Sequence, residues 1–116
     1  MIFIASMTSL FAVPYVVGYA AAKSAYLGIV RTLAAEWSAR GVRVNAIAPG
    51  WIRTPLLERT VDADPVRRET VLKRTPMGSY GTVEDIGWAA VYLSSPAGRF
   101  VTGAVLTVDG GASIGF

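Results

Sequence analysis

One long helical pattern, placed between two short apolar runs, constrains the fold of this chain most. Residues 19–40 contain no proline, and apolar side chains recur there at spacings of three and four, which is typical of a helix. These side chains are Ala22, Tyr26, Ile29, Leu33 and Trp37. Apolar runs at 2–5 and 42–47 flank the helix. The first predicts a buried strand, and Pro49-Gly50 ends the second. Strand, helix and strand in this order, with so long a crossover, predict two parallel strands.

The second half of the chain continues the alternation. Residues 51–77 are polar, charged and irregular, with a helix predicted around 65–72. Thr82 has the features of an N-cap, with Asp85 three residues later in place of the usual Glu of a capping box, and a helical apolar stripe follows. An apolar run at 104–108 predicts the last strand. This alternation predicts an α/β domain with a parallel sheet.

Composition limits the chain to one domain whose surface is partly covered. The 116 residues suffice for one domain, and 53% of them are apolar. Charged residues make up 16% of the chain, below the roughly 25% of an average soluble domain. We therefore expect a missing part of the fold, or partner subunits, to cover much of the surface.

The uncharged stretch at residues 1–22 superficially resembles a secretory signal, because it ends in small residues. A basic start is missing, however, since Lys23 is the first positive residue. Pro14 and Gly18 also interrupt the apolar run, which disfavours a membrane span. The sequence therefore predicts a cytoplasmic protein without a membrane partner.

Two residue types are absent, and their absence excludes several chemistries. The chain has no cysteine and no histidine, so disulfides, zinc–thiolate sites and histidine-based catalytic triads are excluded. The net charge is +3, but the basic residues are scattered, and the densest group, at 67–74, also contains Glu69. A nucleic-acid partner is not expected, because no longer basic stripe with interleaved aromatic residues is present.

Tyr19 and Lys23 are four residues apart on the predicted long helix and therefore share one face. An ammonium held beside a phenol favours the phenolate, which makes Tyr19 a candidate acid or base. The spacing alone is common, and an ordinary pair on a helix surface remains the alternative.

Two further segments converge on this helix. Ser6 follows the first predicted strand, and Pro49-Gly50 follows the second. In an open parallel sheet the carboxyl ends of the strands lie at one edge, where ligands bind. The helix that carries Tyr19 and Lys23 starts from the same edge, so the sequence predicts that all three segments border one crevice.

Three segments together resemble the short-chain dehydrogenase/reductase family over essentially the whole chain. Tyr-Ala-Ala-Ala-Lys at 19–23 matches the active-site signature of that family, with Ser6 thirteen residues before the tyrosine. Residues 42–54 match a second segment, and residues 101–103 with 108–111 match a third. The resemblance implies a partial Rossmann-type, doubly wound parallel sheet, of which this chain holds the last three strands and their helices.

The same resemblance implies roles for three catalytic residues. Tyr19 would donate or accept the proton at the oxygen of the substrate. Lys23 would favour the Tyr19 phenolate and hold the ribose hydroxyls of the nicotinamide cofactor. Ser6 would form a hydrogen bond with the reacting carbonyl or alcohol.

The cofactor implied by the resemblance is NAD or NADP, which carries the redox chemistry while the protein orients the reactants. Pro49, Gly50, Ile52 and Thr54 would border the nicotinamide, beside Tyr19. The substrate would be a small alcohol or ketone, and general similarity favours a sugar, a polyol or a 3-oxoacyl compound.

Residues 55–77 are the candidate for a mobile substrate lid, since their composition is that of a polar insertion. An ordinary surface loop that does not contact a substrate is the alternative. Leu56 and Leu57, with Trp51 just before the lid, offer apolar contacts to a substrate, and Arg53 offers a cationic one.

Family members are roughly twice as long, so we interpret residues 1–116 as the carboxyl-terminal half of a dinucleotide-binding domain. The glycine-rich phosphate loop, the residue that selects NAD or NADP, and the catalytic asparagine are missing. The strand at Ile2 would then be an open edge that invites pairing with another chain. We expect a poorly folded or aggregated isolated chain that depends on a homo-oligomer, as a dimer or tetramer, or on a complementing amino-terminal segment.

Three hypotheses follow. The first is the catalytic half of an oxidoreductase. The alternative is a truncated, non-catalytic module that keeps only the oligomerisation surfaces, which in the family lie on the long helix and on the final helix and strand. A secreted protein that loses residues 1–22 is the third, and it would also lose Ser6 and Tyr19.

Overall fold

A three-stranded parallel sheet organises the chain. The computed structural model describes residues 1–115, with β1 at Ile2–Ile4, β2 at Asn45–Pro49 and β3 at Val105–Val108. The strand order is β1-β2-β3, and both pairs are parallel. The central β2 is buried from Asn45 to Ala48, as expected for a parallel strand that is covered on both faces. The predicted α/β fold with a parallel sheet is confirmed.

Helices form the two connections between the strands. The four α-helices are α1 at Val17–Trp37, α2 at Pro55–Leu57, α3 at Pro65–Arg74 and α4 at Val83–Ser94. A 3₁₀ turn at Ser38–Arg40 extends α1, and Gly41 ends it with φ of 79°. This left-handed conformation suits glycine, and it lets the chain reverse toward β2.

The two faces of the sheet carry separate apolar cores. On one face, Val30 and Ala34 of α1 pack against Ala46 and Ala48 of β2. On the other face, Ala89 and Leu93 of α4 pack against Ile47. Successive β2 side chains thus alternate between α1 and α4, because neighbouring residues of a strand point to opposite faces. The three layers place helices on both sides of the sheet.

The outer edge of β1 is open within residues 1–115, as the sequence predicted. The prediction that the run at 2–5 is a buried strand was wrong for Ile4, whose exposed fraction is 46%. Ile2 and Phe3 are only half-buried. β1 is exposed because its one neighbour is β2, so no strand covers its other side.

The predicted start of the second strand was also wrong. Residues 42–44 lie outside β2, which begins at Asn45. They form the link that leads from the turn at Gly41 into the strand. Asn45 is fully buried; its Nδ2 donates to the carbonyl of Val101 at 2.9 Å, and its Oδ1 accepts from the amide of Ala104 at 3.0 Å. Asn45 therefore links β2 to the segment that leads into β3.

Residues 55–77 are more regular than the sequence suggested. The hydroxyl of Thr54 accepts from the amide of Leu57 at 3.2 Å and caps α2, and a π-helical turn follows at Glu58–Asp62. The carboxylate of Asp64 then caps α3, whose predicted extent of 65–72 continues to Arg74. Short polar side chains at these caps satisfy helix amides that would otherwise lack partners.

The segment also has a small core of its own. Leu57, Val61 and Val71 are buried against one another, with Trp51 and Tyr80 packed alongside. The helices at 55–74 therefore form a folded unit beside the sheet. No helix within residues 1–115 is both long enough and apolar enough to cross a membrane.

Candidate active site

A cavity of about 590 Å³ opens at the carboxyl ends of β1 and β2, between the start of α1 and the helices at 55–74. Its volume lies in the roughly 300–1,000 Å³ range of small-molecule sites. Six of the seven residues that the sequence singled out line it: Ser6, Tyr19, Pro49, Gly50, Ile52 and Thr54. The seventh, Lys23, does not line the cavity.

Ser6 stands directly after β1 and is buried, with 6% of its surface exposed. Its Oγ accepts a hydrogen bond from the amide of Thr8 at 3.2 Å, which caps the 3₁₀ turn at Met7–Ser9. Because the oxygen acts as an acceptor in this contact, the hydroxyl proton remains available to a ligand. The cap also fixes the position of Ser6 at the cavity wall.

Tyr19 lies in the first turn of α1, where its side chain lines the cavity and remains half-exposed at 51%. The start of α1 is positioned by the loop from Ser6, because the 3₁₀ turn at Met7–Ser9 packs against the helix. The phenol thus borders both the cavity and solvent, as a group that exchanges protons with a substrate and with water requires.

Lys23 lies near the Tyr19 ring but donates its hydrogen bond elsewhere. Its Nζ is 5.8 Å from the centroid of the Tyr19 ring and donates to the carbonyl of Ile4 at 2.8 Å. The carbonyl of Met1 and the amide of Ala5 bond to β2, so the intervening carbonyl of Ile4 points to the open edge. The ammonium of Lys23 therefore covers the free edge of β1.

The loop after β2 is held by close backbone contacts. The amide of Gly50 donates to the carbonyl of Val108 at 2.9 Å, and a Cβ at Gly50 would lie 2.6 Å from the Cα of Asp109. Only glycine allows this approach. Ile52 forms an isolated parallel bridge with Gly81. The cavity wall is therefore held by two later segments of the chain, one at Gly81 and one at Val108 and Asp109.

Arg67 and Thr8 are cavity residues that the sequence analysis did not find. Arg53, the cation expected to contact substrate, does not line the cavity, and its guanidinium lies 5.5 Å from the centroid of the Tyr80 ring. Arg67 precedes the buried Val71 by four residues, which places both on the inward face of α3. The same rule also places Arg68 on this face, three residues before Val71, so helical spacing alone does not single out Arg67.

A polar cluster ties the helices at 55–74 to the loop before α4. The hydroxyl of Tyr80 donates to Asp62 at 2.7 Å, and Arg68 lies 3.6 Å from the same carboxylate oxygen. Burial, followed by the hydrogen bond to Asp62, raises the pKa of Tyr80 above its usual value, against a smaller opposing effect of Arg68. Tyr80 is therefore held as a neutral phenol.

A second cavity, of about 610 Å³, lies toward β3 and shares only Trp51 and Ile52 with the first. Its carboxylates, Asp85 and Asp109, already accept hydrogen bonds from nearby backbone amides. None of Ser6, Tyr19 or Lys23 borders it, so the predicted catalytic hydroxyls of Ser6 and Tyr19 distinguish the first cavity as the candidate site.

A parallel sheet with helices on both faces, and a hydroxyl-lined cavity at the carboxyl ends of its strands, defines the class of open α/β proteins that bind ligands at this edge. A family model described as enoyl-(acyl carrier protein) reductase matches residues 1–113. The chain belongs to the short-chain dehydrogenase/reductase family, as the sequence predicted.

Relatives and solved structures support this assignment. The chain is 48% identical over 96 residues to a galactitol 2-dehydrogenase (L-tagatose-forming) of Cereibacter sphaeroides, covering 83% of this chain and 37% of that protein. It is 45% identical to a 2-dehydro-3-deoxy-D-gluconate 5-dehydrogenase of Bacillus subtilis, covering 93% and 42%. The structure of a putative 2-deoxy-D-gluconate 3-dehydrogenase from Agrobacterium tumefaciens with bound NADP matches with a TM-score of 0.92 at 47% identity, covering 96% and 45%.

These matches also give the extent of the resemblance. The chain spans between 37% and 42% of the length of these two curated relatives. Residues 1–113, which the family model matches, include the lining of the cavity described above.

Proposed function

We propose that this chain supplies the catalytic half of an oxidoreductase that interconverts an alcohol and a ketone with NAD or NADP. The observation that carries the proposal is the convergence of the Ser6, Tyr19 and Thr54 hydroxyls on one cavity at the carboxyl ends of β1 and β2. Ligands bind at this edge in open α/β sheets. The absence of cysteine is consistent with a cytoplasmic enzyme.

The residues around the cavity fit a nicotinamide ring. Pro49, Gly50 and Ile52 give one wall of backbone and apolar surface. Thr54 accepts a hydrogen bond at its Oγ1, so its hydroxyl proton is free to donate to a carboxamide. Lys23 would hold the ribose hydroxyls after leaving the carbonyl of Ile4. When bound, the cofactor would accept or supply the hydride exchanged with the carbon that bears the reacting oxygen.

The proton is handled by side chains of this chain. In the oxidation direction, Ser6 donates a hydrogen bond to the substrate oxygen, and the Tyr19 oxygen takes the proton of the substrate hydroxyl. In reduction, Tyr19 returns a proton to the oxygen. Because Tyr19 is half-exposed, its proton can exchange with solvent between turnovers. Such acid–base catalysis typically contributes about 10²–10⁴-fold to the rate.

In this proposal residues 55–77 form the substrate lid. Their own core, made by Leu57, Val61 and Val71, supports movement as one unit, since the packing inside the lid need not change. The cluster of Asp62 and Tyr80 then anchors one end of the lid.

A complementing amino-terminal segment or further copies of the chain would cover the open surfaces. The outer edge of β1 lacks a neighbouring strand within residues 1–115, and the relatives are more than twice as long as the matched part. A non-catalytic module is the second candidate function. It is favoured by the hydrogen bond of Lys23 to Ile4, which keeps the ammonium out of the cavity.

The test uses a fusion protein, in which the amino-terminal part of the Bacillus subtilis relative precedes Met1 of this chain. Polyol-dependent NADH or NADPH formation is measured for the parent fusion, Tyr19→Phe and Tyr15→Phe. Tyr15 is fully exposed and does not line the cavity, so it provides the matched control. We expect Tyr19→Phe to lower kcat by roughly 10²–10⁴-fold, and Tyr15→Phe to retain the parent rate.

Equal rates for Tyr19→Phe and the parent would contradict the proposed acid–base role. A folded fusion that binds cofactor but turns over no alcohol or ketone would favour the non-catalytic module.

A further inference from the structure

Among residues 1–115, the cavity that holds Ser6 and Tyr19 is lined by one charged side chain, Arg67 of α3. No carboxylate of the described chain borders this cavity. The rest of the lining is apolar, apart from hydroxyl groups and the indole N–H of Trp51, so Arg67 supplies the formal charge at the cavity wall.

The charge of Arg67 has no partner in the described part of the chain. The ion pairs there join Arg68 to Asp62 and Lys73 to Glu69. Arg67 contributes only its backbone amide, which donates to the helix-capping carboxylate of Asp64 at 3.2 Å. All five N–H donors of its guanidinium therefore remain available to a ligand.

A solvated surface arginine is the alternative explanation, since Arg67 is exposed. Two observations favour a binding role. Arg67 is four residues before the buried Val71, on the face of α3 that turns inward. Its neighbour Arg68 finds an acidic partner on the lid, whereas Arg67 borders a cavity without one.

The other polar groups of the cavity are mainly hydroxyls, which suit a polyhydroxylated ligand. Thr8 and Thr60 add hydroxyls to those of Ser6, Tyr19 and Thr54.

We propose that the substrate of this site is an anionic polyhydroxy compound, and that Arg67 binds its carboxylate or phosphate group. This inference rests on the proposed function and narrows its substrate class. A guanidinium recognises carboxylate and phosphate oxygens through two parallel hydrogen bonds. The substrates named for the two curated relatives are a neutral polyol and a sugar acid, and Arg67 selects the acidic class here.

The experiment compares three probes: D-gluconate, D-glucitol 6-phosphate and the neutral D-glucitol. Equilibrium binding to the fusion protein loaded with NADH is measured by calorimetry, and binding to the 116-residue chain is followed by NMR. Variants are Arg67→Gln, Arg67→Lys and the control Arg59→Gln. Arg59 is an exposed arginine of the same lid that does not line the cavity, so its loss changes the net charge equally.

We expect at least one anion to bind the parent roughly tenfold more tightly than D-glucitol, as a charge-assisted hydrogen-bond pair allows. Arg67→Gln should abolish this preference, Arg67→Lys should retain part of it, and Arg59→Gln should leave it unchanged. The anion whose affinity falls more in Arg67→Gln identifies carboxylate or phosphate as the recognised group.

Equal anion affinity in Arg67→Gln and the parent would overturn the inference, as would a parent that binds neither anion more tightly than D-glucitol. Steady-state turnover separates this result from the proposed reaction. Anion binding that depends on Arg67, without turnover, would refute the proposed reaction but support the anion site. Turnover of D-glucitol without an anion preference would support the reaction but refute the anion site.

Discussion

At the scale of single residues, Asn45 and Gly50 bracket β2, and each is fixed by a contact with the segment around β3. Asn45 bonds the carbonyl of Val101 and the amide of Ala104. Gly50 approaches the Cα of Asp109 more closely than any residue with a Cβ could. These contacts hold β2, whose carboxyl end forms the cavity wall. They therefore position the site from outside the cavity.

Replacing Asn45 with alanine should therefore destabilise the fold. The buried amide of Ala104 loses its acceptor, while the carbonyl of Val101 keeps the guanidinium of Arg43 at 3.2 Å. We expect a loss of about 2–3 kcal/mol in the free energy of unfolding, measured by urea denaturation of the fusion protein. The control is Thr70→Ala on the exposed face of α3, and a similar small loss in both variants would contradict this role for Asn45.

Sequence reasoning predicted about half of the residues that line the cavity, but it did not predict where the two key cations lie. Ser6 and Pro49-Gly50 were predictable because each follows a strand, and strand ends are fixed by topology. Thr54 was expected from the family resemblance alone. Lys23 was expected inside the site, yet its ammonium bonds the carbonyl of Ile4. Arg67 was missed, because the direction of a long side chain on a lid helix depends on packing that only the folded unit defines.

At the scale of elements, the structure differs from the sequence prediction in the lid candidate and in the strand boundaries. The segment at 55–77 was predicted as irregular with one helix, and it contains helices joined by a π-helical turn. Thr54, just before the segment, and Asp64 within it are helix caps, a signal that is visible in the sequence. The strand boundaries were less predictable, because the Gly41 turn keeps 42–44 out of the sheet despite their apolar character.

The cluster of Tyr80, Asp62 and Arg68 should make the anchoring of the lid depend on pH. Burial and Asp62 raise the pKa of Tyr80 in the folded state, whereas an unfolded tyrosine titrates near pH 10. The folded state then holds this proton more tightly, so the stabilisation is fully present below about pH 10 and is lost as pH rises through the raised pKa.

Tyr80→Phe tests this anchor. We expect the variant to be about 1 kcal/mol less stable than the parent at neutral pH, because the hydrogen bond to the partly exposed Asp62 is lost. That difference should shrink above about pH 10. Urea unfolding of the fusion protein at both pH values measures it, with Tyr92→Phe on α4 as the control. A difference that stays constant with pH would contradict the assigned protonation of Tyr80.

At the scale of the whole molecule, the chain is elongated and exposes several large apolar side chains. Its radius of gyration is 15.1 Å, with extents of 49 × 27 × 25 Å, whereas a compact domain of this length has a radius of roughly 13 Å. Large apolar side chains are exposed on the loop and helices that flank the sheet: Val17, Trp88, Val91 and Phe100. Exposed apolar surface of this kind marks contacts with other protein, which supports the proposed complementing segment or oligomer.

The central claim is that this chain carries the nicotinamide-binding half of a short-chain dehydrogenase/reductase. The most direct measurement is a fluorescence titration with NADH and NADPH of the fusion protein, of its Lys23→Ala and Thr54→Ala variants, and of the 116-residue chain. We expect saturable binding by the fusion, weakened roughly tenfold by either substitution, and much weaker binding by the chain alone. Unchanged cofactor affinity in both variants would contradict this role, because the nicotinamide would then not contact this half.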